Sequence, residues 1–189
     1  MLTKSEDITL YHGSWCEVQV PDLSKCATHK DFGQGFYLTT SREQAERFSL
    51  TSLRKAVANG LAGAEQKYGM VSEFSWRAQE RNRLAMREFE TADALWLHCV
   101  VAHRRAKGFE QIIEQYAHYD VIGGKIANDA TNAVITAYMA GAYGTVGSER
   151  ASKFCVGLLL PERLKDQYCF RTPKALETLH FTKSYQVWK

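Results

Sequence analysis

Two short glycine-bearing segments constrain this chain more than anything else in it: Leu10-Tyr11-His12-Gly13-Ser14 and Lys30-Asp31-Phe32-Gly33-Gln34-Gly35-Phe36-Tyr37-Leu38-Thr39-Thr40. Each joins an apolar, strand-like run to glycine or small residues, and each delivers one polar aromatic ring at a fixed place. Glycine lets a backbone approach its neighbours closely and adopt positive φ. His12 offers a directed hydrogen bond and Tyr37 a stacking face. The combination suits a flat nucleotide laid against backbone. Gly33-Gln34-Gly35 alone is not a phosphate fingerprint, because it lacks the third glycine and the helix that should follow.

The rest of the chain alternates strand and helix signals. Ile8 to His12 and Gly35 to Thr39 are strands, and Thr40-Ser41-Arg42-Glu43-Gln44 supplies cap residues for a helix. That helix continues through Ala45, Phe48, Leu53, Ala56 and Val57 and ends near Gly60 and Gly63. Met70 to Trp76 alternates as a strand. Residues 92 to 106 form an apolar helix whose basic end suits a helix C-terminus, closed by Gly108. A strand follows over Tyr119 to Ile122, then helices over Thr131 to Tyr143 and Glu149 to Leu160. Gln167 to Arg171 is a strand, Thr172-Pro173 starts a short helix, and Leu179 to Val187 holds the last strand. The spacing of strands is too irregular for a doubly wound parallel sheet, so the fold class is α+β. With 189 residues, 45% of them hydrophobic, the chain makes one domain over 1–189.

Composition excludes some classes and leaves others open. A net charge of +3 does not imply nucleic acid. The five cysteines have no Cys-x-x-Cys spacing, and the N-terminus has no apolar core of a signal peptide. No run reaches the roughly 18 apolar residues that span a bilayer. A cytoplasmic protein without a membrane partner is expected. His98 and His103 are five apart, not the four that put two ligands on one helix face, so no metal is expected.

Tyr11-His12-Gly13-Ser14 and Gly33-Gln34-Gly35-Phe36-Tyr37-Leu38-Thr39, with 25 residues from His12 to Tyr37, resemble the first two signature motifs of the ADP-ribosyltransferase superfamily. With Tyr119-Asp120-Val121-Ile122-Gly123, Ala127-Asn128-Asp129 and Asp166-Gln167-Tyr168-Cys169-Phe170, the likeness extends to a bacterial family of unknown function grouped with those enzymes, over roughly residues 8 to 182. The resemblance implies split antiparallel β-sheets around an NAD cleft, flanked by helices. It also implies that NAD is the substrate. His12 would then hold the nicotinamide ribose, Gly13 and Ser14 the amide or ribose, and Tyr37 would stack on the nicotinamide. Tyr11, Gly35, Phe36 and Asn128 complete the expected NAD-binding set.

In the family's third motif a glutamate stands where this chain has Gln167. Glutamine can bond a ribose hydroxyl but cannot take a proton. A carboxylate near the ribose would stabilise the positive charge that builds there as the glycosidic bond breaks. Asp129 is the candidate carboxylate, and it also stands where a helix N-cap is expected. His12 likewise has two readings, as a ligand-binding group or as a strand-end histidine bonded to a neighbouring carbonyl. The resemblance implies a mono-ADP-ribosyltransferase acting on a macromolecular acceptor, protein before nucleic acid, in the setting of a bacterial toxin with an antitoxin or a phage-conflict effector. An NAD glycohydrolase and a non-catalytic module binding NAD or ADP-ribose are the alternatives.

Overall fold

The structure, a computed structural model, describes residues 5–105, 108–126, 129–159 and 164–189, without the side chains of residues 129 and 130. In chain order the strands are β1 (Ile8–Ser14), β2 (Phe36–Leu38), β3 (Tyr68–Trp76), β4 (Met86–Glu88), β5 (Val121–Lys125), β6 (Asp166–Phe170) and β7 (Leu179–Trp188). The α-helices are α1 (Arg42–Ala58), α2 (Ala78–Arg81), α3 (Ala94–Arg105), α4 (Glu110–Gln115), α5 (Asp129–Met139), α6 (Glu149–Leu159) and α7 (Pro173–Leu176).

The strands form two sheets. One is antiparallel, in the order β1-β3-β7, and the other runs β2-β6-β5-β4. Strand alternation sorts their side chains. Leu10, Phe74 and Trp76 of the first sheet meet Phe36, Leu38, Tyr168 and Phe170 of the second in one buried cluster between the sheets. The other face of the second sheet carries Tyr37, Ile122 and Cys169, which pack with Phe32 and the apolar residues of α3, α5 and α6. The outer face of the first sheet lies under α1. There a Cβ on Gly13 would stand 2.0 Å from the Ala45 carbonyl oxygen, so only glycine lets strand and helix approach this closely.

One expectation is corrected in this architecture. The sheets are not wholly antiparallel, because β4 pairs with β5 in parallel. β4 is three residues long, Met-Arg-Glu, and carries no alternating apolar pattern to announce it. Its return to β5 passes through α3 and α4, the long crossover that a parallel pair requires. The longer elements fall close to expectation. Ser41 caps α1 by accepting from the Gln44 N–H at 3.3 Å, and Thr172 caps α7 by accepting from the Ala175 N–H at 3.1 Å.

Among the described residues one backbone bridge joins the sheets. Tyr11 N–H donates to the Thr39 carbonyl at 2.8 Å, and Thr39 N–H donates back to Tyr11 at 3.0 Å. This isolated bridge ties β1 to the residue after β2. Gly35, which enters β2, is needed for a reason other than access to a ligand. A Cβ there would lie 2.4 Å from Cys169 Sγ and 2.7 Å from the Phe170 carbonyl oxygen, against β6. Gly35→Ala should therefore cost at least about 2 kcal/mol through overpacking against backbone. Chemical denaturation measures this, and an unchanged midpoint would contradict it.

Candidate functional site

His12 follows the bridge residue Tyr11 and turns to the inter-sheet side, where its ring lies 4.3 Å from that of Phe36. Its Nδ1 is 2.8 Å from the Tyr37 carbonyl oxygen. A carbonyl only accepts, so Nδ1 carries the hydrogen. Burial outweighs that hydrogen bond and lowers the imidazole pKa below its ordinary value of 6.5. The ring is neutral near pH 7, and Nε2 is a bare acceptor with no partner among the described residues. The reading of His12 as a strand-end histidine bonded to a neighbouring carbonyl is what the geometry shows. One nitrogen binds a neighbouring carbonyl, and that bond aims the other.

Backbone alternation defines the next group. Tyr11 turns its N–H and C=O toward Thr39, so His12 pairs with Ser72 of β3 and Gly13 again points away from β3. β2 and its extension supply no partner at Gly13. Its N–H and C=O are a donor and acceptor pair, unpaired among the described residues, beside the point where the sheets part. Buried backbone groups in this condition call for a ligand or water.

Tyr37 is placed differently from His12. Its ring turns to the helix-covered face of the second sheet, so the two rings do not face one another. Its hydroxyl donates to the Gly33 carbonyl at 2.9 Å and accepts from the Phe32 N–H at 2.8 Å. Burial first, then the nearby Cys169 and Asp31, keep this phenol protonated well above its ordinary range. Tyr37 thereby holds its own approach loop in a fixed curl.

That loop carries Asp31, the residue that links the rest of the site. Arg104 of α3 donates to Asp31 Oδ1 from NH2 at 2.6 Å and from Nε at 2.9 Å. Gln167, opposite Thr39 by continuation of the β2–β6 register, donates from Nε2 to Asp31 Oδ2 at 2.7 Å and to the Lys125 carbonyl at 3.3 Å. Both amide hydrogens are therefore spent on acceptors. The amide orientation is fixed, and Oε1 is left without a partner among the described residues. Gln167 thus presents an acceptor oxygen without charge, on the helix-covered face of the second sheet that also carries Tyr37 and Cys169.

The remaining expected residues divide. Tyr11 contributes backbone, Phe36 is buried behind His12, and Ser14 ends β1 opposite Met70. Asn128 lies outside the described residues. Asp129 begins α5, and its side chain is likewise outside the description. α5 is nonetheless drawn to the site, because Arg104 NH1 donates to Asn132 Oδ1 at 2.7 Å. Arg104 belongs to the basic run that ends α3, where residues are usually solvated or open to an anion, and here it is instead largely buried in an ion pair with Asp31. Asp31, lying within the second motif, was the available signal for the carboxylate partner.

These features define an α+β protein in which two sheets part beside His12 Nε2 and the Gly13 backbone pair, all without partners among the described residues. Over residues 8–181 the chain matches the family described as Protein of unknown function (DUF3990), and it belongs to that family. No curated protein and no solved structure matches it. Among the described residues no group of three or more His, Cys, Asp or Glu is arranged to hold a metal, and no helix is long and apolar enough to cross a membrane.

Three histidines, His12, His98 and His103, have pKa values lowered first by burial. Each binds a proton more readily unfolded than folded, so stability is full above about pH 6.5 and is lost as pH falls below it. The urea midpoint should be lower near pH 5 than near pH 7.5. A midpoint that stays level or rises on acidification would contradict these assignments.

Proposed function

We propose that this protein is a mono-ADP-ribosyltransferase, which cleaves the bond between nicotinamide and ribose in NAD and passes ADP-ribose to a macromolecular acceptor. The observation that carries the reading is the junction itself: His12 Nε2 held as a neutral acceptor beside the unpaired N–H and C=O of Gly13. A primary carboxamide such as that of nicotinamide carries both a donor and an acceptor, which complements the Gly13 pair. A ribose hydroxyl supplies the hydrogen that His12 Nε2 lacks.

In this reading the bond from the ribose carbon to nicotinamide breaks with its electron pair leaving on nicotinamide, and positive charge builds on the ribose. The acceptor nucleophile closes the new bond at that carbon and loses its proton. Fixed dipoles aimed at developing charge are an effective form of stabilisation. Here the chain supplies the Gln167 carbonyl oxygen, backed by the Asp31 carboxylate. A second reading, a module that binds NAD or ADP-ribose without cleaving it, has one observation in its favour. Asp31 is neutralised by Arg104, with both side chains largely buried, so it is poorly placed as a base.

Release of nicotinamide from NAD by the purified protein tests the proposal and separates the two readings. His12→Ala and Gln167→Ala should each lower that release by about tenfold to a thousandfold, the range for losing one positioned hydrogen-bonding group. Both variants should unfold cooperatively. Tight NAD binding without any release would favour the module. Release that persists undiminished in both variants would overturn the site.

A further inference from the structure

The cavity of about 400 Å³ between the Thr28–Gln34 loop, the last turn of α3 and the end of β6 contains none of the residues at the sheet junction. Arg171, just past the end of β6, follows Gln167 by four positions, a span of about 13 Å along the extended chain. Arg171, half-buried in the cavity wall, donates from NH1 to the Tyr116 carbonyl and has no carboxylate partner among the described residues. Asp120, opposite it across the sheet, spends its carboxylate on the Ala85 N–H, the Thr172 hydroxyl and Lys174. None of the residues lining the cavity is acidic. A second guanidinium on the same face of the sheet, Arg87, stacks 4.8 Å over Phe89 and has its Nε buried without a partner.

His103 supplies the second, independent observation. Only 6% exposed, it forms part of the wall. Its Nδ1 donates to the Cys99 carbonyl at 2.8 Å, so its Nε2 is an acceptor, and that atom is buried with no hydrogen-bond partner. Gly33, at φ 82°, passes directly over the ring, and a Cβ there would fall 2.8 Å from Cδ2 and 3.5 Å from Nε2. Only the Gly33 backbone, with no side chain, covers the imidazole edge on this side. The wall thus lacks two things from its contents, an anion for Arg171 and a hydroxyl hydrogen for His103.

We propose that this cavity is a binding site for a small sugar phosphate, its phosphate on the Arg171 guanidinium and a sugar hydroxyl donating to His103 Nε2. A guanidinium presents a planar fork of donors that matches phosphate oxygens. The apolar part of the wall, Ile113 and Ala117, suits the carbon skeleton of a sugar. The site stands apart from the junction and does not depend on the NAD reading.

Ribose 5-phosphate is the probe, with ribose and inorganic phosphate as controls, titrated into the ¹⁵N-labelled protein. The amides of Gly33, Gln34 and Thr172 should shift while that of Gly13 stays in place, and ribose alone should have no effect. Inorganic phosphate should bind more weakly than the ester. Arg171→Gln should weaken ester binding by about tenfold to a hundredfold, as expected for a lost charge-assisted hydrogen bond, and leave the Gly13 amide in place. Three results would overturn the proposal: shifts centred away from the cavity, phosphate bound as tightly as the ester, or ester binding undiminished in the Arg171 variant. The shift map on the unaltered protein decides the matter even if that variant fails to fold.

Discussion

The Tyr11–Thr39 bridge is the constraint on which the rest of this structure turns. Two hydrogen bonds, 2.8 and 3.0 Å long, are all the ladder that joins β1 to the second sheet. One residue further along β1 the sheets have already parted. An extended ladder would have consumed the Gly13 backbone groups, and no ladder would have left His12 without the Tyr37 carbonyl that orients it. A single bridge achieves both, backed by the cluster of Leu10, Phe36, Leu38 and Phe74 behind it.

A second device works from the opposite face of the second sheet. Tyr37 pins its own approach loop through its hydroxyl, and the pinned loop presents Asp31 to Arg104 and Gln167. The Asp31–Arg104 pair is largely buried, so each charge depends on the other; removing either partner from such a pair typically costs about 3–5 kcal/mol. In return the Gln167 amide has one orientation. A neutral side chain thus acquires the fixed polarity that a carboxylate carries by its charge. The coupling runs from α5 through Asn132 and Arg104 to the loop and then to β6.

The elements legible in the sequence were those with strong local signals. α1 has a serine cap and periodic apolar residues, and β3 is a run of strand-forming residues ending at Trp76, so both fall near their expected bounds. β4 was not legible, because three residues owe their strand state entirely to the edge of β5. The positions of His12 and Gly13 beside the junction, and of Gln167 on β6, were legible from the motifs that carry them. Roles were less so. Gly35 is narrow for the sake of Cys169 and Phe170, and the Tyr37 phenol serves a loop. Only tertiary contact shows which neighbour a small or aromatic residue accommodates. Asp31 and Arg104 lie 73 residues apart, a separation over which no local pattern operates.

The central claim is that the nicotinamide end of NAD sits at the junction, on Gly13 backbone and His12 Nε2. Nitrogen NMR of the protein labelled at histidine and glycine, followed as NAD is added, tests it most directly. The account predicts a downfield move of the Gly13 amide proton and a shift of the His12 Nε2 resonance, with Nδ1 still protonated. NAD that leaves both signals in place while perturbing another surface would contradict it.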